Sequence, residues 1–533
     1  MIARQQSMMP RPGRFAGWHI DGWTGREGKA MSRTPEMNDR PESDSCVVPA
    51  KLANKAERSA AELVEGRRLD KGNTGQQNAR RTQSRDVSVS SALERVRQVA
   101  AKDRDARFTA LLHHVDVDRL RGVYRALSPK AAAGVDGETW ESYGQNLEEN
   151  LEDLHGRVQR GAYRAKPSRR VFIPKADGRL RPLGIAALED KIVQRAVVEV
   201  LNAIYETDFL GFSYGFRPGR SPHDALDALT VAIENTKVNW VLDADFRDFF
   251  TTLDQRWLKR FLEHRIADER VLRLIQKWLR AGVIEDGRWT ASEEGSPQGA
   301  TVSPLLANVY LHYVFDLWVQ QWRSRHARGE VIVARYADDV VLGFQHQSDA
   351  ERFRKDLEQR LVKFGLALNA EKTRLIRFGR FAAQQRAERG LGRPETFDFL
   401  GFTHVCGKTK DGRFAVRRRT IKKRMAAKLK EVKTSLMARR HWPIEMQGRW
   451  LGAVVRGHLA YYSVPGNIHQ VTAFSDEIIR LWRGALRRRS QKTRMNWQRM
   501  RRLADRWLPA ARYTHPWPNE RFAARTQVRS PVR

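Results

Sequence analysis

The sequence predicts an α+β fold, with strands and helices mixed up to about residue 405 and helices alone after that. Three observations carry this reading. In Val331-Ile-Val-Ala-Arg-Tyr336-Ala-Asp338-Asp339-Val-Val-Leu-Gly-Phe344, two adjacent carboxylates sit between apolar, β-branched runs. That is the pattern of a β-hairpin with an acid pair at its tip. A second apolar strand, Trp240-Val-Leu-Asp243-Ala-Asp245-Phe246, also carries acids. After Lys408 the composition turns basic, and residues 417–433 hold nine Lys or Arg and one Glu.

Residues 1–88 are polar and rich in Arg, Gly, Ser and Gln, the composition of a disordered or loosely attached extension. From Ala92 the apolar positions recur at helical spacing, first at Leu93, Val96 and Val99, then at Phe108, Leu111, Leu112 and Val115. Ala133-Gly-Val-Asp-Gly137 breaks into a turn, and residues 147–158 read as an amphipathic helix. Arg170-Val-Phe-Ile-Pro174 reads as a strand and Lys175-Ala-Asp-Gly178 as the turn after it. Ile192 to Ile204 mark a long buried helix, and residues 271–279 another. Ser303-Pro304 opens a helix to Trp318, with Pro in the first turn where its missing N–H costs nothing. Residues 350–364 form an amphipathic helix, and Phe397-Asp-Phe-Leu-Gly-Phe402 a short strand.

Lys and Arg total 97 against 62 Asp and Glu, a net charge of +35 over 533 residues. Such a field favours a polyanion, most simply nucleic acid. No apolar run is long enough to span a bilayer and the N-terminus carries no signal-type stretch, so the reading is cytoplasmic with no membrane partner. Cys46 and Cys406 lie too far apart for a Cys-x-x-Cys zinc knuckle.

Carboxylates placed side by side repel unless a cation neutralises them, so the hairpin tip is a candidate metal site. Period-two alternation puts Asp243 and Asp245 on one strand face, where acids are costly unless ion-paired or metal-bound. Spacing alone does not choose between them, and a salt bridge to an Arg is the competing role. With Asp338 and Asp339 they would supply the oxygen ligands that Mg²⁺ prefers. A third element, Gly295-Ser-Pro-Gln298-Gly299, makes a tight turn at a helix entrance, where backbone and an amide can approach a ligand.

In this order the three elements resemble those of reverse transcriptases, and more narrowly those encoded by group II introns. The matching stretches are Ile173-Pro-Lys-Ala-Asp-Gly-Arg-Leu-Arg-Pro-Leu-Gly-Ile185, Phe212-Ser-Tyr-Gly-Phe-Arg-Pro-Gly-Arg220, Asp245-Phe-Arg-Asp-Phe-Phe250, Gly295 to Gly299 with Ser303-Pro-Leu-Leu-Ala-Asn308, Tyr336-Ala-Asp-Asp339, Leu368-Asn-Ala-Glu-Lys-Thr373 and Phe399-Leu-Gly-Phe402. The resemblance implies a right-hand polymerase: fingers and palm with an antiparallel palm sheet at 89–405, an α-helical thumb or maturase domain at 406–488, and a basic DNA-binding region at 489–533. It selects Asp245, Asp338 and Asp339 as catalytic carboxylates holding two Mg²⁺ ions, leaving Asp243 as a neighbour. Phe250 matches the bulky residue against the sugar of the incoming nucleotide, and Gln298 a nucleotide contact. Lys175 and Arg181, with Arg179 competing, match cations for the triphosphate. Lys372 matches a lysine near the leaving pyrophosphate. Ala300 and Thr251 depart from the pattern at positions that bind no metal.

The run Arg417, Arg418, Arg419, Lys422, Lys423 and Arg424 resembles the start of the thumb. Its cations are expected to track RNA or DNA phosphates, while the later Trp and Tyr residues pack in the core. The implied partners are deoxynucleoside triphosphates, a primer–template duplex, intron RNA and target DNA; oligomeric state is not legible. The paired cysteines of the endonuclease domain found in many relatives are missing, so no second-strand nuclease is expected. The competing readings are a splicing cofactor with a vestigial polymerase, and a reverse transcriptase of another retroelement or defence system.

Overall fold

The computed structural model describes residues 87–174, 180–285, 288–291, 295, 299–490 and 495–521. The expected N-terminal extension therefore lies outside the described residues, apart from Val87 and Ser88, which open the helix Val87–Lys102. Three sheets organise the rest. In the first, β1 (Ser168–Pro174) pairs antiparallel with β2 (Leu180–Ile185) and parallel with β4 (Val283–Glu285), and β5 (Arg288–Thr290) closes the edge.

The second sheet is fully antiparallel, in the order β6 (Val331–Tyr336), β7 (Asp339–Phe344), β3 (Trp240–Asp245), β8 (Arg374–Arg377). It is buried on both faces. Leu242, Val333 and Leu342 enter the large N-terminal core with the helices Leu188–Asp208 and Ser303–Leu311. Val241, Ile332 and Val341 enter a second core with the helix Pro222–Asn235. Burial on both faces explains why these strands read as continuous apolar runs.

The third sheet, β9 (Phe397–Phe399), β10 (Phe402–Lys408) and β11 (Phe414–Thr420), crosses the expected domain boundary at 405/406. The expectation of helices alone after that point is corrected: helical structure starts at Lys422. From there Lys422–Ala438, Ile444–Tyr462, Ile468–Arg487 and Trp497–Trp507 surround a separate core of Val432, Leu451, Phe474 and Trp482. Trp482 is fully buried and donates to Gln447 Oε1 at 2.9 Å, a core role as expected.

Two helix expectations change. Phe108 to Val115 contains only the 3₁₀ turn Leu112–His114. Phe108 is instead tied to Arg265 and Ala267, and the Leu111 and Leu112 amides donate to Asp268 at 2.7 and 3.0 Å. The helix opened by Ser303 widens through a π-helical turn, His312–Asp316, before continuing as Leu317–Arg325. Among the described residues no helix is long and apolar enough to cross a membrane.

Candidate active site

The β6–β7 hairpin closes on the pair Tyr336 and Asp339, leaving Ala337 and Asp338 as a two-residue turn. Ala337 has φ +57°, a left-handed conformation that L residues adopt at a cost. The structure beneath the turn holds it there. Arg335, fully buried, donates to the Ala337 carbonyl at 3.1 Å, to both Asp316 oxygens at 2.7 and 2.5 Å, to Asn308 Oδ1 at 3.1 Å and to Ser213 Oγ at 2.6 Å. Asn308 donates in turn to the Gly215 carbonyl at 2.7 Å. Gly215 lies so close that a Cβ there would meet the Ala337 nitrogen at 2.3 Å, so only glycine fits.

Strand register then gathers the acids. β3 lies antiparallel to β7 with Asp245 directly opposite Asp339. Alternation puts Asp243, Asp245 and Asp339 on one face of the sheet. Asp339 reaches solvent, but its carboxyl is pushed up to about 6, first by desolvation and then by the charges of Asp338, Asp245 and Asp243. Arg424, from the first C-terminal helix, acts in the opposite sense. Crowded like charges of this kind are chemistry that a cation relieves.

Asp245 is engaged already. Lys372 Nζ donates to its Oδ2 at 2.8 Å and Asn369 Nδ2 to the same oxygen at 3.2 Å, while the Asn369 amide binds the Asp245 carbonyl at 2.8 Å. Lys372 thus sits at the acid cluster, with its side chain about half exposed. Asp243 pairs with Arg374 at 3.5 Å, the salt-bridge role weighed for it. Desolvation still pushes its carboxyl up to about 6, with Arg374 opposing. Among the described residues, no three His, Cys, Asp or Glu side chains converge tightly enough to hold an ion as they stand. The donor set has the oxygen chemistry of a hard-cation site, with Lys372 in the position of counter-charge.

Phe250 lies in the one-turn helix Phe249–Thr252, half-buried against the Phe249 ring 5.4 Å away. Gly295 packs on its backbone: a Cβ there would meet the Phe250 carbonyl oxygen at 2.6 Å. Gly299, at the other end of the same loop, packs equally closely on Gly184 of β2. Gly295 therefore sits against the Phe250 turn and Gly299 against the first sheet. Gln298 and Lys175, with Arg179, lie outside the described residues. Arg181 is placed only by its backbone, opposite Ile173 in β2.

The basic run divides. Arg417 and Arg419 are exposed, as are Lys422, Lys423 and Arg424. Arg418 is not a surface cation, which corrects its expected phosphate contact. Residues 417–419 form strand, so side chains alternate, and Arg418 turns inward to Asp227 at 2.7 Å. Arg521 joins the same carboxylate at 3.0 Å.

Sequence reasoning missed the support beneath the tip: Arg335, Asp316, Asn308 and Ser213. A charge inside the apolar run Val331 to Tyr336 was the signal for it, since a buried charge demands a partner.

Residues 173–404 match the family of reverse transcriptases (RNA-dependent DNA polymerases). The chain is 38% identical over 284 residues to protein YkfC of Escherichia coli K12, covering 47% of this chain and 74% of that one. It is 33% identical over 238 residues to the group II intron-encoded protein LtrA of Lactococcus lactis, covering 44% of this chain and 39% of LtrA. A 91 kDa protein in the cob intron of Schizosaccharomyces pombe is 40% identical over 158 residues, covering 30% of this chain and 19% of that one. The acid-tipped hairpin lies inside all that the family match spans, and the chain belongs to the reverse transcriptases, RNA-dependent DNA polymerases related to group II intron-encoded proteins.

Proposed function

We propose that this reverse transcriptase is encoded by a group II intron, binds that intron's RNA as a maturase during splicing, and copies it into DNA after insertion at a target site. The observation that carries the copying half is Asp245 facing Asp339 across β3 and β7, with Asp338 in the adjoining turn. Support for the intron half is the likeness to LtrA and the +35 charge, which suits a large RNA.

Asp245, Asp338 and Asp339 would hold two Mg²⁺ ions. Bound there, such ions supply charge neutralisation at the triphosphate and lower the pKa of the primer hydroxyl. The chain's own residues do the rest. Phe250 stands where a ring would clash with a 2′-hydroxyl, favouring deoxynucleotides. Gln298 contacts the incoming nucleotide, and Lys175 and Arg181 bind its phosphates. Lys372 holds a proton at Nζ beside Asp245 and delivers it toward the departing pyrophosphate. Residues 89–405 act as fingers and palm. The helices from Lys422 act as thumb, and residues 489–533 as a basic DNA contact.

The test pairs two assays on the purified full chain. Extension of a DNA primer on an RNA template is expected with Mg²⁺ and not with chelator, and intron RNA is expected to splice faster with the protein present. No extension would reduce the chain to a splicing cofactor. Extension without any effect on splicing would place it in another retroelement or defence system.

A further inference from the structure

Among the described residues, four other than glycine take a left-handed backbone, and two of these meet at the tip: Ala337, and Phe216 at φ +58°. A bulky side chain adopts that conformation at a cost, so it persists only where the surroundings impose it. They do so on both sides of Phe216. Gly215 is buried against the Tyr336–Ala337 backbone, and its carbonyl accepts from Asn308 at 2.7 Å. Arg217, 5% exposed, donates to the Leu210 and Ser213 carbonyls at 2.8 and 2.7 Å and pairs with Glu206 at 3.0 Å. Asn308 also accepts from Arg335, so one side chain ties the two strained turns together.

The ring that this backbone carries is not packed away. Phe216 is 55% exposed between two buried neighbours, and it joins none of the three hydrophobic cores of the described residues. Its ring centroid lies 6.3 Å from that of Tyr336. Strand register fixes where that is. Asp245 stands opposite Asp339, and Asp339 opposite Tyr336, so the three form one row across β3, β7 and β6 on a single face. β6 is the edge of that sheet, and Phe216 extends the row beyond it.

We infer that Phe216 determines specificity in copying: its ring lies against the sugar edge of the last base pair of primer and template, and favours a correctly paired primer end. The primer hydroxyl has to reach the acids of this row, which lays the last base pair along it. A phenyl ring has no hydrogen-bonding group, so it reads the shape of the pair and not its sequence. The shallow minor groove of an A-form RNA–DNA hybrid presents sugars and base edges to such a surface. A mispair moves those edges off the ring, and the hydroxyl then loses the alignment that the reaction needs. The inference rests on the tip as the centre of copying, as proposed above.

Extension of a DNA primer on an RNA template by the full chain would be measured from a matched and from a mismatched primer end, each at limiting primer–template. The native protein is expected to prefer the matched end. Phe216→Asn removes the ring and suits a left-handed backbone. It should lower that preference about tenfold, the scale of one partly buried ring, while the melting temperature holds or rises. Phe216→Tyr keeps the ring and should keep most of the preference. Each ratio is read within one protein, so a general loss of activity cancels. Phe216→Gly also suits the backbone and carries the test should Phe216→Asn not fold. A packing role would do the reverse, lowering the melting temperature and leaving the ratio alone. A ratio unchanged in a folded variant without the ring overturns the inference, as does a native protein with no preference. Asp338→Ala separates this from the reading beneath it: extension that survives there removes the tip as the centre of copying, and the inference with it. An unchanged ratio beside an inactive Asp338→Ala removes the inference alone.

Discussion

The two sides of the β6–β7 turn handle charge in opposite ways. Beneath it, Arg335 and Asp316 are both fully buried, and Asn308, Ser213 and the Ala337 carbonyl complete the guanidinium's hydrogen bonds. Above it, Asp245 and Asp339 face each other, with half-exposed Lys372 paired to Asp245. The lower network is closed and has no capacity left for a ligand. The upper one keeps uncompensated negative charge, visible in the raised pKa of Asp339. A rigid, satisfied base beneath a charged, accessible tip is what pre-organised catalysis requires, because the strain of an αL alanine and crowded acids must be held from below.

That contrast can be broken from either side. The largest expected effect is at the tip: Asp245→Asn keeps the shape but removes a charge, and primer extension should fall by roughly 10⁴-fold with the melting temperature preserved. Chemistry retained in that variant would mean the face-to-face acids are not the centre of the reaction. Next is the base. Arg335→Met strands Asp316 as a buried, unpaired charge and should cost about 3–5 kcal/mol in chemical denaturation. The folded fraction should also lose activity, because the Ala337 turn loses the donor that holds it, so a folded Arg335→Met that extends primers at the native rate would contradict the support from below.

Smaller again is Lys372→Ala, which should slow extension by roughly 100-fold as expected for a lost proton donor, with stability unchanged because an exposed ion pair contributes little. If extension is unaffected, Lys372 is only a counter-charge. The smallest effect concerns the basic strand. Removing exposed Arg417 or Arg419 as Gln should lower the salt dependence of RNA binding by about one unit of slope each. Arg418→Gln should instead reduce stability, since it breaks a buried pair with Asp227. A result in which all three behave alike would contradict the alternation of β11.

How much of this was legible in the sequence follows from the range of the forces involved. The hairpin was readable because β-branched runs flank adjacent acids, and both the turn and the pattern are local. The choice between Asp243 and Asp245 was not available from spacing, because both share a face; long-range partners distinguish them, Arg374 for one and Lys372 with Asn369 for the other. Phe108 to Val115 was misread as helix because its apolar spacing fits, while Asp268, more than 150 residues away, captures the amides that a helix would need. Strand β11 was hidden by composition. Its run of arginines looks like a solvated helix face, and only pairing with β10 reveals that every second residue, Val416, Arg418 and Thr420, is buried.

The central claim is that copying depends on the tip while nucleic-acid binding belongs to the basic surface. Asp338→Ala in the full chain tests it in one preparation, by measuring Mg²⁺-dependent primer extension on an RNA template beside affinity for that same template. The account predicts that extension is abolished and RNA affinity is unchanged. Extension that survives, or RNA binding that is lost from a folded protein, would contradict it.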